Sequence, residues 1–562
     1  MGKYEKSTVS RRICICLMVL LFAAAMGTTA LGNVDSNLTP KEQLGKLIFF
    51  DSNLSEPKGQ ACEDCHGEDV GWTGPNEASN VLRGGVYHGA NTSRFGNRKP
   101  PTIAYSTFAP NFRLDNGTAG TFAGGEFWDG RATGEIRGTA AADQATGPFL
   151  NPLEMNNPDG DTVVDKVCMS DYVDLFKQVW GSNACDDKKK AFDDIAFSIV
   201  AFEASKEVTP FTSKYDAYLD GKVKLTDKEM RGLELFKGKA ICDECHVADI
   251  GNDGKHPLFT NSIYGDPGVP RNPQNPFYNE TEFNPSGAAY IDPGLAGHIQ
   301  NDPNLLKYQR INYGKFRVPT LRNVDKRPNE TYVKRYMHNG FFSSLQEVVH
   351  FYNTRDVLPV CGFSDSVVGK NCWPLPEVAL NANPKVGHLG LTDEEEDNIV
   401  AFLKTLSDGF IQPELLSNPG FESGTSPWIF YTNGKGKFTA APPGFEGSKS
   451  AKIVLYTGGT NIQLYQKSIS LESHTRYRLS FAANSTKGHD LKVVLIKHIS
   501  PFTHYGLDKK FNLSTDWQEF STEFTTTNFG DMVNDGRLMF YLVPFAKAGD
   551  TYYIDDVRLE KI

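Results

Sequence analysis

Apolar positions recur at helical spacing along the chain up to residue 411 and alternate at strand spacing beyond it, so two architectures follow one another. A helix is predicted from Leu38-Thr39-Pro40-Lys41-Glu42 into Leu44-Gly45-Lys46-Leu47-Ile48-Phe49. A second runs from Leu225-Thr226-Asp227-Lys228-Glu229 into Gly232-Leu233-Glu234-Leu235-Phe236. In both, Thr caps the helix and Glu three residues on reaches back to it. Each helix is expected to deliver, at its C-terminal end, the same pentapeptide pattern: Cys62-Glu63-Asp64-Cys65-His66 and Cys242-Asp243-Glu244-Cys245-His246. Two further helices share a core pattern, Ser198-Ile199-Val200-Ala201-Phe202 and Asn398-Ile399-Val400-Ala401-Phe402, the latter behind another capping box, Thr392-Asp393-Glu394-Glu395. Residues 36–208 and 210–411 therefore read as two copies of one unit: opening helix, Cys/His motif, long loops, closing helix. Dense Gly, Pro and Asn, above all from Gly265 to Gly287, predict irregular polypeptide packed around a cofactor.

After Ile411-Gln412-Pro413 short alternating runs predict strands at 451–456, 461–466, 477–483, 492–497, 517–526, 538–543 and 552–559. Their spacing is that of a β-sandwich, and this segment holds no cysteine. The predicted fold is multidomain: two mainly α cytochrome c-like haem domains, 33–208 and 209–411, followed by an all-β jelly-roll sandwich over 412–562.

Length supports this division, since 562 residues exceed one ordinary core. The net charge of −10 argues against a general nucleic-acid binder, which needs the opposite sign. Residues 1–32 read as an export signal: Lys3, Lys6, Arg11 and Arg12 lead an apolar run, and Ala30-Leu31-Gly32 offers small residues for cleavage before Asn33. An uncleaved membrane anchor is the alternative, because the run nearly reaches spanning length. A periplasmic or extracellular location follows from export. Cys14 and Cys16 would leave with the signal. Beyond the two motifs, Cys168 with Cys185 and Cys361 with Cys372 form close couples; each, if bridged, closes a loop worth about 3 kcal/mol. Free buried thiols are the alternative.

Two cysteines three apart reach both vinyl groups of one haem, and the adjacent His swings under the iron. Cys62, Cys65 and His66, and again Cys242, Cys245 and His246, thus predict two covalently bound haem c groups. Zinc would need a second ligand pair at a fitting interval, and neither motif has one.

With these motifs the chain resembles the bacterial di-haem cytochrome c peroxidases and their MauG-like relatives over about residues 36–410. The resemblance is carried by Leu44–Asp51, Phe127-Trp128-Asp129-Gly130-Arg131, Gly147-Pro148 with Asn151-Pro152-Leu153-Glu154-Met155, Val318-Pro319-Thr320-Leu321-Arg322-Asn323 and Tyr336-Met337-His338-Asn339-Gly340. It implies that the first haem, on His66, meets hydrogen peroxide and that the second, on His246, relays electrons from a small c-type cytochrome or similar donor. It implies Glu154 as acid/base, Gln144 and Pro148 as pocket walls, and Trp128 as a stepping stone between haems. Read without the resemblance, Glu154 is an ordinary cap or surface acid and Trp128 a core residue. For the sixth ligand of the second iron, the run Leu345–Tyr352 resembles the segment ending in that ligand, which favours Tyr352 over Met337. His88 is a candidate removable ligand on the first iron. The usual Asn of an inter-haem calcium site is Lys99 here, in Arg98-Lys99-Pro100-Pro101-Thr102, which speaks against that ion. A homodimer is common in such families.

The sandwich resembles carbohydrate-binding jelly rolls through Asn418-Pro419-Gly420-Phe421-Glu422, Trp428, Trp517-Gln518 and Tyr553-Ile554-Asp555-Asp556-Val557. That implies a structural calcium at Glu422 and Asp556 (or Asp555) and a glycan partner, with Tyr456, Tyr465 and Tyr505 as stacking platforms. Three functions stay open: peroxide reduction, MauG-like oxidation of Trp or Tyr in a partner protein, and a non-enzymatic electron carrier.

Overall fold

The structure, a computed structural model, describes residues 38–115, 120–251, 254–362, 367–411 and 414–562. The expected export signal lies outside them. Among the described residues no helix is long and apolar enough to cross a membrane. The chain packs as two compact units: one holds the chain through Pro210 with Glu234–Asp249 and Pro257–Val400, the other Phe211–Leu233, Ile250–His256 and Ala401–Ile562. Both Cys/His motifs belong to the first.

Helices carry the first unit where the sequence pattern is periodic: α1 (Pro40–Phe49), α2 (Ala140–Leu150), α3 (Lys188–Glu203), α4 (Asp227–Lys237), α5 (Leu345–Thr354) and α6 (Asp393–Lys404), of which α4 and α6 run across the division between the units. The three expected capping boxes are present. Glu42, Glu229 and Glu395 accept from the backbone N–H groups of Thr39, Thr226 and Thr392 at 2.6, 2.8 and 3.1 Å. Each Thr hydroxyl accepts in return. Helices α1 and α3 cross so closely at Gly45 that a Cβ there would lie 1.9 Å from the Ser198 carbonyl oxygen, which is why no larger residue serves. Phe49, Trp72 and Phe202 seal that crossing edge to face.

The helices do not deliver the Cys/His motifs directly. Phe49 ends α1, and Cys62 follows only after a separate turn at Ser52–Leu54, capped by Asp51. Lys237 ends α4, and four residues separate it from Cys242, with Ile241 in the left-handed region. Each motif starts a short 3-10 turn, Cys62–Asp64 and Cys242–Glu244. Cys168–Cys185 and Cys361–Cys372 are disulfides, while the four motif cysteines are free thiols.

In the second unit ten strands among the described residues form a sandwich: β1 (Ile429–Thr432), β2 (Lys435–Ala441), β3 (Ser450–Thr457), β4 (Ile462–Glu472), β5 (Arg476–Ser485), β6 (Leu491–Lys497), β7 (His504–Phe511), β8 (Gln518–Thr525), β9 (Met532–Tyr541) and β10 (Thr551–Lys561). One antiparallel sheet has the order β7-β6-β9-β4-β1, the other β8-β5-β10-β3-β2. Alternate residues such as Ile453, Leu464, Phe481, Phe540 and Ile554 fill the space between them. Three strands, β1, β2 and β7, were not among the seven expected.

Candidate functional site

The residues of the first motif open into a cavity in the first unit. It is lined by Cys62, Cys65 and His66, by Gln144 and Pro148, and by Glu154, Trp128 and His88. Residues more than ninety positions apart thus meet around one space. Gln144 and Pro148 stand four apart on α2, hence on one face of it. Glu154 follows in a turn built by Asn151, which accepts the Glu154 N–H on its carbonyl at 2.9 Å and donates its side-chain amide to Glu154 Oε1 at 2.8 Å. Oε2 is left facing no protein donor among the described residues. The 88–90 segment presses on this turn: Ala90 N–H donates to the Glu154 carbonyl at 2.7 Å, and a Cβ on Gly89 would meet the same oxygen at 2.6 Å. Burial raises the Glu154 carboxyl above its usual range, against the opposing pull of Arg131 and the Asn151 hydrogen bond.

Trp128 is 9% exposed and donates its indole N–H to the Lys99 carbonyl at 2.8 Å, while its own carbonyl accepts from Arg317 N–H at 2.9 Å. Phe127 before it has a positive φ of 62°, a strained conformation that turns its ring toward Gly147 of α2 and under the Arg131 guanidinium at 3.8 Å. His88 is held at Nδ1 by the Gly89 carbonyl, 2.9 Å away.

His66 and His246 sit in the same clamp, built twice. His66 Nδ1 donates to the Trp72 carbonyl at 3.2 Å, and His246 Nδ1 to the Phe259 carbonyl at 2.9 Å. Trp72 and Phe259 both have positive φ, 59° and 53°. Thr73 donates to the Pro100 carbonyl as Thr260 does to that of Val318; Thr102 donates to Gly71 as Thr320 does to Leu258. Because a carbonyl only accepts, Nδ1 carries the hydrogen and Nε2 keeps its lone pair. Burial is the main cause that lowers both imidazoles, to about 4, so they are neutral. Neutral imidazole with a free Nε2 is the ligand form an iron requires. The cavity also leaves Gln60 Oε1 and Glu126 Oε1 buried without a partner. Two free thiols, a neutral His and an adjoining cavity fit covalent haem. Among the described residues there is no cluster of three or more His, Cys, Asp or Glu that suits a lone metal ion instead.

Tyr352 lies on α5 beside the second motif: burial, then the Cys245 and Cys242 thiols, push its phenol up. No described side chain hydrogen-bonds its hydroxyl. Met337 stands in a turn at φ 67°, its carbonyl accepting from Gly340 N–H at 3.3 Å. Helix α5 is fixed to α6 by Glu396, which accepts from Asn353 at 2.6 Å and contacts His350 at 3.0 Å.

Several residues of the site escaped the sequence reading. Lys99 was read only as a lost calcium ligand, yet its ammonium is engaged within the protein. Glu126 and Glu203 line the cavity, and burial pushes them up to about 7 and about 8. The paired Pro-Thr steps, Pro101-Thr102 and Pro319-Thr320, were the available signal for the double clamp.

On the sandwich, Glu422 accepts from Ser448 and Lys449 N–H groups at 2.7 Å and from the Ser448 hydroxyl at 2.7 Å. Asp556 accepts from Arg558 at 2.7 Å, and Asp555 takes the N–H groups of Phe445 and Glu446. Protein donors thus occupy the carboxylates expected at calcium. The expected tyrosines do not share a face. Tyr505 is 2% exposed, in the core, with its hydroxyl on Asp535, so it cannot be a platform. Tyr456 belongs to β3 of the other sheet, between β10 and β2. Tyr465 does lie on the outward face of the β7-β6-β9-β4-β1 sheet, opposite Met539, which is opposite Val494; Tyr541 and Tyr431 flank Gln463 in the next row.

A helical unit with two haem-type clamps, joined to a jelly roll, defines a di-haem c cytochrome with an appended sandwich. Comparison with known proteins narrows this. The di-haem cytochrome c peroxidase family matches residues 39–224, and a carbohydrate binding domain family matches residues 413–546. The methylamine utilization protein MauG of Paracoccus denitrificans is 32% identical over 411 residues, covering 72% of this chain and 97% of that protein. The cytochrome c551 peroxidase of Pseudomonas aeruginosa is 31% identical over 370 residues, 65% of this chain and 78% of that one. The solved diheme peroxidase BthA of Burkholderia thailandensis superposes with a TM-score of 0.55 at 28% identity, covering 66% of this chain and 90% of that chain. The chain belongs to the di-haem cytochrome c peroxidase and MauG family, a family of oxidoreductases that carry two haem c groups.

Proposed function

We propose that this protein reduces hydrogen peroxide to water at the site built on Cys62, Cys65 and His66, with electrons from a soluble c-type cytochrome entering through the site on Cys242, Cys245 and His246. The observation that carries this reading is Glu154: a half-buried carboxylate that lines the cavity, with one oxygen tied to Asn151. Haem c, held there by Cys62, Cys65 and His66, would supply a redox-active iron for the reduction. Glu154 Oε2 takes the proton from one peroxide oxygen and returns it to the other, the departing one. Asn151 and the Gly89–Ala90 segment hold that carboxylate still; Gln144 and Pro148 restrict the space above it. Trp128 hands electrons from one site to the other. An electron carrier alone has no use for such an acid. Residues 33–208 supply the peroxide site and 209–411 the entry site, in an exported, periplasmic or extracellular protein.

MauG-like oxidation of a Trp or Tyr in a partner protein is the second reading. It is favoured by Tyr352, an oxygen donor beside the second motif, and by the relative from Paracoccus denitrificans. The outward sandwich face around Tyr465, Tyr431 and Tyr541 suits stacking on sugar rings, and the 412–562 segment would hold the enzyme on a glycan. The test is steady-state peroxide consumption by the holoprotein with a reduced small cytochrome c. Turnover that needs both supports the first reading; no oxidation of the donor, with radical formation or a mass change in a co-purifying protein, supports the second.

A further inference from the structure

The outward face of the β7-β6-β9-β4-β1 sheet carries polar atoms that no described residue satisfies. Strand register sets its rows. Arg537 stands between Lys467 and Ile496, Met539 between Tyr465 and Val494, and Tyr541 between Gln463 and Lys492, with Tyr431 beyond Gln463. The half-buried Arg537 guanidinium is held by two rings, 4.9 Å from the centroid of Tyr465 and 5.7 Å from that of Phe502. Its Nε is buried without a partner. Burial lowers the guanidinium from its very high ordinary value, and no acid counters that, yet an arginine stays charged. His498, its ring 6.1 Å from that of Tyr465, has a buried and unpartnered Nδ1. Gln463 is 7% exposed; its amide donates to Asn461 at 2.8 Å, and its Oε1 has no partner. The other charges on this face cancel in pairs, Lys492 with Asp508 and Lys510 with Asp490, each at 2.7 Å. Asp535 accepts the Tyr505 hydroxyl at 2.9 Å and lies 3.9 Å from Lys497. Arg537 and the exposed Lys467, directly opposite one another, thus keep uncompensated positive charge on a chain of net charge −10.

We propose that this face binds an acidic polysaccharide, one built of uronic acids, and that Arg537 with Lys467 recognises the sugar carboxylates. This rests on reading the sandwich as a glycan-binding domain. A guanidinium is a planar fork of donors matched to a carboxylate, and the two flanking rings fix that fork before any ligand arrives. A neutral glycan would strip water from the charge and leave it unpaired. Tyr431, 48% exposed, offers a ring for stacking, and Gln463 beside it offers an acceptor to a sugar hydroxyl. From Tyr431 to Arg537 is two rows along the strands, about 13 Å, and two strands across, about 10 Å. The occupant is therefore a chain of several sugars.

The test is isothermal titration of the full haem-loaded chain with oligomers of polygalacturonate, alginate and glucuronan. Each is paired with the same oligomer after reduction of its carboxyls to alcohols. At least one acidic oligomer is expected to bind, and its reduced form to bind about tenfold or more weakly, the size of one lost charge-assisted hydrogen bond. Arg537→Gln should lose about tenfold for the acidic form and nothing for the reduced one. Lys467→Gln should lose a smaller factor, and Tyr431→Ala should weaken both forms. Equal affinity for acidic and reduced forms, or for wild type and Arg537→Gln, overturns the proposal and leaves the glycan reading in place. Binding of neutral xylan or β-glucan oligomers with none of any acidic one does the same. Equally tight binding of single-stranded DNA of matched charge also overturns it, because the face would then be a general anion patch. If Arg537→Gln does not fold, Lys467→Gln at its exposed position decides, and unchanged affinity there overturns the proposal. No heat with any glycan, acidic or neutral, would instead sink the glycan reading itself.

Discussion

Replacing Glu154 by Gln removes a proton acceptor and almost nothing else. The Gln side-chain oxygen can still accept from Asn151, as Glu154 Oε1 does at 2.8 Å, and the backbone contact to Ala90 is untouched. General acid–base transfer by a positioned group contributes about 10²–10⁴-fold, so the loss in peroxide turnover should fall in that range, or about 3–5 kcal/mol of barrier. The wild-type pH profile carries a second check. Burial raises the Glu154 pKa, and accepting a proton requires the ionised form, so the rate should climb as pH rises through that raised value. Arg131 opposes the rise, and Arg131→Met should therefore push the limb to higher pH. Because the Arg131 side chain is 44% exposed, solvent screens it, and the displacement should stay within about one pH unit. Steady-state peroxide reduction with a reduced cytochrome, followed from acid to neutral pH, measures both. A Glu154→Gln protein loaded with both haems and slowed less than about tenfold would refute the assignment, as would a limb that ignores Arg131→Met.

Two other outcomes follow from the geometry. Tyr352→Phe should change the absorption and spin-resonance spectra of the second haem alone, with Met337→Leu silent; a thioether-to-iron charge-transfer band near the red edge in the wild-type protein would reverse that expectation. In the sandwich, Phe540 is fully buried against Phe481 and Trp428, and Phe540→Ala should cost about 3–5 kcal/mol, read as a lower denaturation midpoint for the sandwich transition of the full chain.

Local signals were legible in the sequence wherever chemistry is short-range. The capping boxes at Thr39, Thr226 and Thr392 need only a hydroxyl and a carboxylate three residues apart, and all three form. The Cys/His pentapeptides and the close cysteine couples are of the same kind. Strand β7 was missed because Gly506 and the run Asp508-Lys509-Lys510 mask its inward residues Tyr505, Leu507 and Phe511. Strands β1 and β2 sit at sheet edges, where half-buried positions blur the alternation. Tyr505 could not be told from Tyr465 by pattern, since register decides which face a tyrosine takes. The clamp carbonyls were invisible for a different reason: any residue has a carbonyl, and only folding aims it at a histidine.

Trp128 is hooked at both ends to the two duplicated segments, by its indole N–H to the carbonyl of Lys99 and by its carbonyl to the N–H of Arg317. One amino acid therefore acts as a spacer gauge between the halves of the catalytic unit. Its backbone hook survives any substitution of the side chain, so a Trp128→Phe protein would lose the indole hydrogen bond but keep half the gauge. In such a variant, slower traffic between the centres would report on the electronic character of the ring more than on a change in tunnelling length.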